Sequence, residues 1–299
     1  MRARAVAGSM CVEALYAERK IAEANAAMRS MLDGGREVSP ALARLFPQIR
    51  LEFRQLEELL AVLRVAAAWP VVYSSEQPYE DGVIGRVVCT ARHGAEESQM
   101  VLRAQVCAPL PSVCHLLWAV EHLGQWCDSV KSAVVLHADD GLSQLVLCEM
   151  RPALASLYQT TLAFVRMTLF EYHVGGAACF AICFENMSDD ELRTHRHRAA
   201  GQRVVRVRRS YMSFRPRTAE RFDLAVLFSR RARMRVFAHA ADFVYVQTFL
   251  AFLWQLGLEG AKIALMGRRA VNIDKWLARH AAFAAELRAK IARCARVRA

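Results

Sequence analysis

No run of apolar residues in this sequence is long enough to cross a bilayer as a helix. The most apolar stretch, Phe243 to Leu258, follows Asp242 and contains Gln247 and Gln255, so it falls short of the roughly 20 apolar residues a span requires. It predicts a core helix, not an anchor. A secretory segment is also missing. The opening MRARAVAGSM carries two arginines with no apolar stretch behind them, and Glu13 and Glu18 interrupt any acid-free transit pattern. The expectation is a cytoplasmic protein, with a mitochondrial signal as the lesser alternative.

Cysteine pairs in C-x-x-C spacing are absent too. The nine cysteines, at 11, 89, 107, 114, 127, 148, 179, 183 and 294, are odd in number and sit mostly inside apolar runs. That suits buried reduced thiols better than a disulfide framework. Cys179 and Cys183 stand four apart, but no His or Cys follows at zinc-site spacing, so no metal is expected. There is no G-x-S-x-G, no H-E-x-x-H, no P-loop and no Rossmann glycine pattern. The nine histidines are scattered, and His195 and His197 lie in a basic stretch away from any nucleophile. Neither an enzyme nor a cofactor is expected.

Acids are scarce in one region. From Arg193 to Arg235 there are fourteen arginines and no lysine, against Glu220 and Asp223, within a net charge of +11. Such a patch attracts phospholipid head groups or nucleic-acid phosphates. The alternative is a solvated sheet face.

What the chain has in quantity is apolar residues, 55% of 299, ample for a sizeable core. Val12 to Leu32 and Val38 to Ala68 read as helices, closed by Gly34-Gly35 and by Trp69-Pro70. In the second, Leu42, Leu45, Ile49, Phe53, Leu56 and Leu60 recur at helical spacing, which predicts a helical hairpin that packs on a domain or on a partner. After Pro70, short apolar runs between turn residues predict strands at Val83 to Ala91 and Met100 to Cys107. A helix from Pro111 to Trp126 follows. Further strands are expected at Val130 to His137, Leu142 to Glu149, Leu162 to Glu171, Ala177 to Phe184, Val204 to Phe214 and Phe222 to Arg230. Successive hairpins of this kind imply a curved, mainly antiparallel sheet. Ala238 to Leu256 returns to a helical period, and Ile273 to Arg296 is a basic helical segment that packs or lies on a surface.

The order strand, strand, helix, six strands, long helix resembles the helix-grip fold of the START family, the lipid-transfer domains related to the steroidogenic acute regulatory protein. Local features carry the likeness further: Trp69 at the start, APLPSV at 108–113 followed by Trp126, and LAFVR at 162–166 followed by Gly175-Gly176 and FAI at 180–182. Two features depart from it. Thr160 and Thr161 stand where the family commonly has Arg-Asp, and ENMSDD at 185–190 replaces its proline-rich turn. The likeness covers about 69–260. It implies an α+β helix-grip domain there, with a helical extension at 1–68 and a basic helical extension at 261–299.

The resemblance also implies an internal apolar cavity for one lipid or sterol, and transfer between membranes. If Arg166 matches the family's inward arginine, Phe164 and Thr168 face inward beside it, because alternate strand residues share a face. The expected lining is then Phe164, Arg166, Thr168, Phe180, Ile182, Tyr211 and Leu224, roofed by Phe243, Val246, Leu250 and Leu253. The other parity, with Met167 inside and Arg166 on the surface, stays open. Arg193, Arg196 and Arg198 are the expected contacts with anionic membranes. A Trp at Thr168 is expected to block uptake. Two rival readings remain: a nucleic-acid-binding module using arginines around Tyr211, Phe214 and Phe222, and a protein-interaction scaffold with a filled core.

Overall fold

The computed structural model describes residues 12–17, 20–35, 38–76, 84–94, 97–127, 130–139, 143–151, 161–174, 177–199, 202–205, 209–218 and 220–231. The expected roof helix and the basic C-terminal segment lie outside these residues.

Residues 12–17 are helical, and helix α1 spans Ile21–Asp33; Lys20 before it forms an isolated parallel bridge to Glu171, so the single helix expected over Val12 to Leu32 is interrupted there. Gly35 follows α1 with φ +59°, a left-handed conformation that glycine adopts without strain. Helix α2 (Pro40–Val65) is capped by Ser39, whose Oγ accepts the Leu42 N–H at 3.1 Å, and Pro40 sits in its first turn, where a missing N–H costs nothing. Ala24, Met28 and Met31 of α1 bury against Leu42 and Ile49 of α2. The two helices therefore pack together, as expected.

Ten strands follow: β1 (Val71–Ser75), β2 (Ile84–His93), β3 (Glu97–Val106), β4 (Val130–Asp139), β5 (Ser143–Met150), β6 (Thr161–Val174), β7 (Ala177–Asn186), β8 (Arg203–Val205), β9 (Ser210–Thr218) and β10 (Arg221–Arg231). Between β3 and β4 lie α3 (Leu110–Trp118), a 3-10 turn (Val120–His122) and α4 (Leu123–Trp126). The single helix expected here is broken at Ala119, whose backbone is not helical (φ −78°, ψ 63°). Helix α5 (Asp189–Thr194) was not expected. Its signature is the capping box of Ser188 and Glu191, a short-range signal within ENMSDDEL.

The sheet order is β1-β2-β3-β10-β9-β7-β6-β5-β4, with β8 off this path and paired in parallel to β6. Every other pairing is antiparallel. Register breaks interrupt β1/β2, β2/β3, β4/β5 and β9/β10, and such bulges bend and twist a strand. The strand expected over Val204 to Phe214 is thus two separate strands, one short and parallel, one long and antiparallel.

Both faces of the sheet are covered. We call inner the face that packs against α3, through Val113, Cys114 and Leu117. The outer face receives Leu56 and Leu59 of α2, which bury against Phe170, Ala181, Cys183, Tyr211 and Leu227. Small residues at 179, 181 and 183 let the helix approach the strands closely. No disulfide joins the described cysteines; burial pushes Cys114 up to about 12 and Cys148 up to about 11, which leaves these two protonated and unreactive at neutral pH. Among the described residues no helix is long and apolar enough to cross a membrane.

Candidate functional site

Register decides which side chains can share a site, because residues directly opposite each other point to the same face. One continuous rung runs Leu169, Ile182, Met212, Val226, Leu102 and Cys89 across β6, β7, β9, β10, β3 and β2. All six belong to the inner core with α3. A second inner rung holds Phe180, Phe214, Leu224, Ala104 and Val87, and ends on β6 at Glu171. Phe214 and Phe222 add a tilted ring pair, 5.9 Å between centroids. Farther along, Met167 pairs with Gln144, whose Nε2 donates to the Trp118 carbonyl at 3.0 Å and so pins the end of α3 to this face.

Of the expected lining residues, the structure brings Phe180, Ile182 and Leu224 together on the inner face. Phe164, Arg166, Thr168 and Tyr211 are a correction: all four point outward. Thr168 pairs with Cys183, and Cys183 with Tyr211, on a rung that continues to Leu227, Val101 and Thr90. Phe164 packs with Leu145, Leu162 and Met187, beneath Leu192 of α5. Arg166 makes an ion pair with Glu191 and a 3.5 Å contact with the Ser143 hydroxyl. Its charge is met by a carboxylate on the outer side, so it needs no ligand. Tyr211 is fully buried under α2 and donates to Glu58 Oε2 at 3.0 Å. Phe243, Val246, Leu250 and Leu253 lie outside the described residues.

Met167, Leu169, Met212, Phe214, Gln144 and Glu171 on the inner face are absent from the expected lining. A signal for the β6 residues was available. Gly175-Gly176 marks a turn in the sequence, and Val174 pairs with Ala177 on either side of it, so each step back along β6 matches one step forward along β7. That places Leu169 opposite Ile182 and excludes Thr168 from the face of Phe180. Glu171 stands at the end of the inner face, 3.9 Å from His173 Nε2, and His173 Nδ1 lies 3.6 Å from Glu23 of α1.

Of the expected membrane contacts, Arg193 is exposed on α5 and paired with Asp190 at 3.1 Å. Arg198 is exposed in the 3-10 turn Arg196–Ala199. Arg209 is already committed, bridging Glu58 at 2.9 Å and Glu185 at 3.2 Å.

No family profile and no curated protein matches the chain. Solved structures do. The human StAR-related lipid transfer protein 5 superposes with a TM-score of 0.54 at 11% identity, over 73% of this chain and 98% of that one. Human STARD10 gives a TM-score of 0.50 at 8% identity, over 69% of this chain and 78% of that one. At such identities the likeness concerns architecture. The chain has the α+β helix-grip fold of the START domains.

Proposed function

We propose that this chain binds one lipid or sterol in an apolar space bounded by the inner face of its sheet, and carries it between membranes. The observation that supports this most is the rung Leu169, Ile182, Met212, Val226 and Leu102, apolar side chains given by five adjacent strands. It occurs on a fold shared with a solved structure that is named for lipid transfer. Burying a tail gains about 0.8 kcal/mol per CH₂, so affinity follows from shape and apolar area without a catalytic group. Phe180, Ile182 and Leu224 are retained as lining, and Phe243, Val246, Leu250 and Leu253 are proposed as the roof. Residues 69–260 form the proposed binding unit, with the helices of 1–68 and 261–299 as extensions of it.

Arg193, Arg196 and Arg198 are proposed to dock on anionic membrane, each adding on the order of 1 kcal/mol near the surface. The protein acts in this reading as a carrier in the cytoplasm, peripheral to membranes. Native mass spectrometry of the purified full chain, before and after incubation with a lipid panel, tests it. One lipid or sterol per chain is the expected result. A chain that is reproducibly empty and ignores the panel overturns the reading.

A further inference from the structure

A second hollow lies on the opposite, outer face of the sheet, with a volume of about 640 Å³. It exists because α2 ends at Val65 before it has crossed all the strands. Below it runs the outward rung of Ser213, Ala225, Arg103 and Val88. Ser213 and Ala225 are too small to fill the space beneath Leu63 and Ala67, so a gap remains between helix end and sheet.

The charges around this gap do not balance among the described residues. Arg86 is matched by Glu76 at 2.9 Å. Asp223, a carboxylate in the wall, is taken by Arg217 at 2.6 Å. Arg103 and Arg215 remain, each without a carboxylate partner among the described residues. Arg103 Nη2 donates to the Leu63 carbonyl at 2.9 Å, which fixes the guanidinium at the mouth of the gap. Burial lowers its pKa from the ordinary arginine value, and no neighbouring acid offsets that. Arg215 Nε is buried with no acceptor among the described residues. A buried guanidinium N–H without an acceptor is costly, and two guanidinium groups lining one hollow offer N–H donors to an oxyanion. Leu63, Val71 and Val88 give the wall an apolar part, beside the polar Thr90, Gln105 and Tyr172, the last hydrogen-bonded to Ser213.

We propose that this outer pocket binds an amphiphilic organic anion, its oxyanion head between Arg103 and Arg215 and its apolar part against Leu63, Val71 and Val88. The volume falls in the range of small-molecule sites and exceeds what a bare inorganic ion fills. The site is separate from the inner face, and the proposal stands whether or not a lipid occupies that face.

Isothermal titration calorimetry of the full chain at fixed ionic strength tests it, with octyl phosphate, octanoate and inorganic phosphate as probes. Saturable binding of octyl phosphate is expected, clearly tighter than inorganic phosphate, with octanoate showing whether a carboxylate head suffices. Arg215→Gln should weaken octyl phosphate at least tenfold, Arg215→Lys less so, and Ala225→Leu should block it by filling the floor. Met212→Trp, on the inner face, should leave it unchanged. The proposal is overturned if no probe binds saturably, if inorganic phosphate binds as tightly as octyl phosphate, or if Arg215→Gln and Ala225→Leu both bind like the wild type.

Discussion

Tyr211 on β9 donates its hydroxyl to Glu58 Oε2 on α2 at 3.0 Å, across the joint between the N-terminal helices and the sheet. Arg209 reaches the same carboxylate oxygen at 2.9 Å, and Gln55 Nε2 donates to Glu185 at 3.0 Å. This polar seam runs alongside Leu56 and Leu59 and fixes the rotation of α2 over the strands. Burial raises the Tyr211 pKa, with the neighbouring Cys183 and Glu58 adding to it, so the phenol stays protonated and donates at neutral pH. Tyr211→Phe should therefore cost about 1 kcal/mol in urea unfolding, with an unchanged slope. Lipid uptake should be unaffected. A variant of full stability that no longer takes up lipid would place Tyr211 against the ligand instead.

The facing of β6 and its neighbours has its own test. Thr168 is buried on the outward rung beside Cys183 and Tyr211, so Thr168→Trp should overpack that layer and cost about 1–3 kcal/mol while uptake persists. Met212, in the middle of the inner face, should behave in the opposite way. Met212→Trp should reduce the lipid seen by native mass spectrometry more than it reduces the urea midpoint. Equal uptake by wild type and Met212→Trp would remove the inner face as the binding surface.

These two positions also show what the sequence could reveal. The strand, strand, helix, strands order was legible because turn residues separate the runs, and the hairpin helices were legible from their 3.6-residue period. Parity along β6 was not legible from polarity. Its residues 162–165 and 167–172 are all buried, since α2 and α5 cover one face and the inner core the other, so no alternation marks inside from outside. Arg166 misled for the same reason: an arginine within an apolar strand looks like a cavity residue until Glu191, on an unexpected helix, is found beside it. The facing of Tyr211 was not legible either, because the strand expected over Val204 to Phe214 is two strands, β8 and β9, and no single alternation runs through it. Phe180, Ile182 and Leu224 share one face, and each lies within a strand whose bounds the flanking turn residues mark in the sequence.

Gly124, in α4, is a position that leaves no room for a side chain. A Cβ added there would meet the Lys131 carbonyl oxygen at 2.4 Å, a backbone atom at the start of β4. Gly124→Ala should cost about 1–3 kcal/mol, because α4 and β4 must part to admit the methyl group. Gly85→Ala is the control: its Cβ would lie 3.2 Å from the Gln105 Oε1, the end of a flexible side chain, and the change should stay within about 0.5 kcal/mol. Thermal or urea unfolding of the two variants decides it, and equal stabilities would mean the α4–β4 contact is loose.

The Arg166–Glu191 pair gives the fold a dependence on acid. Burial alone would raise the Glu191 pKa. The Ser188 backbone N–H at 2.9 Å, the Ser188 hydroxyl at 2.8 Å and the nearby Arg166 guanidinium together hold it below the ordinary carboxylate value. A carboxyl depressed in the folded state contributes stability above its unfolded pKa of about 4.3, and that contribution is lost as pH falls through the lower, folded value. Glu191→Gln removes the charge at every pH. Its urea midpoint should therefore lie below that of the wild type at about pH 7, and the gap should narrow as the pH falls below about 4. A gap that stays constant or widens toward acid would show that Glu191 matters through its shape and not its charge. The same contact seats α5 on the sheet and leads into the turn that carries Arg196 and Arg198. Glu191→Gln should accordingly weaken binding to anionic vesicles at neutral pH, even though it removes a negative charge that would otherwise repel them.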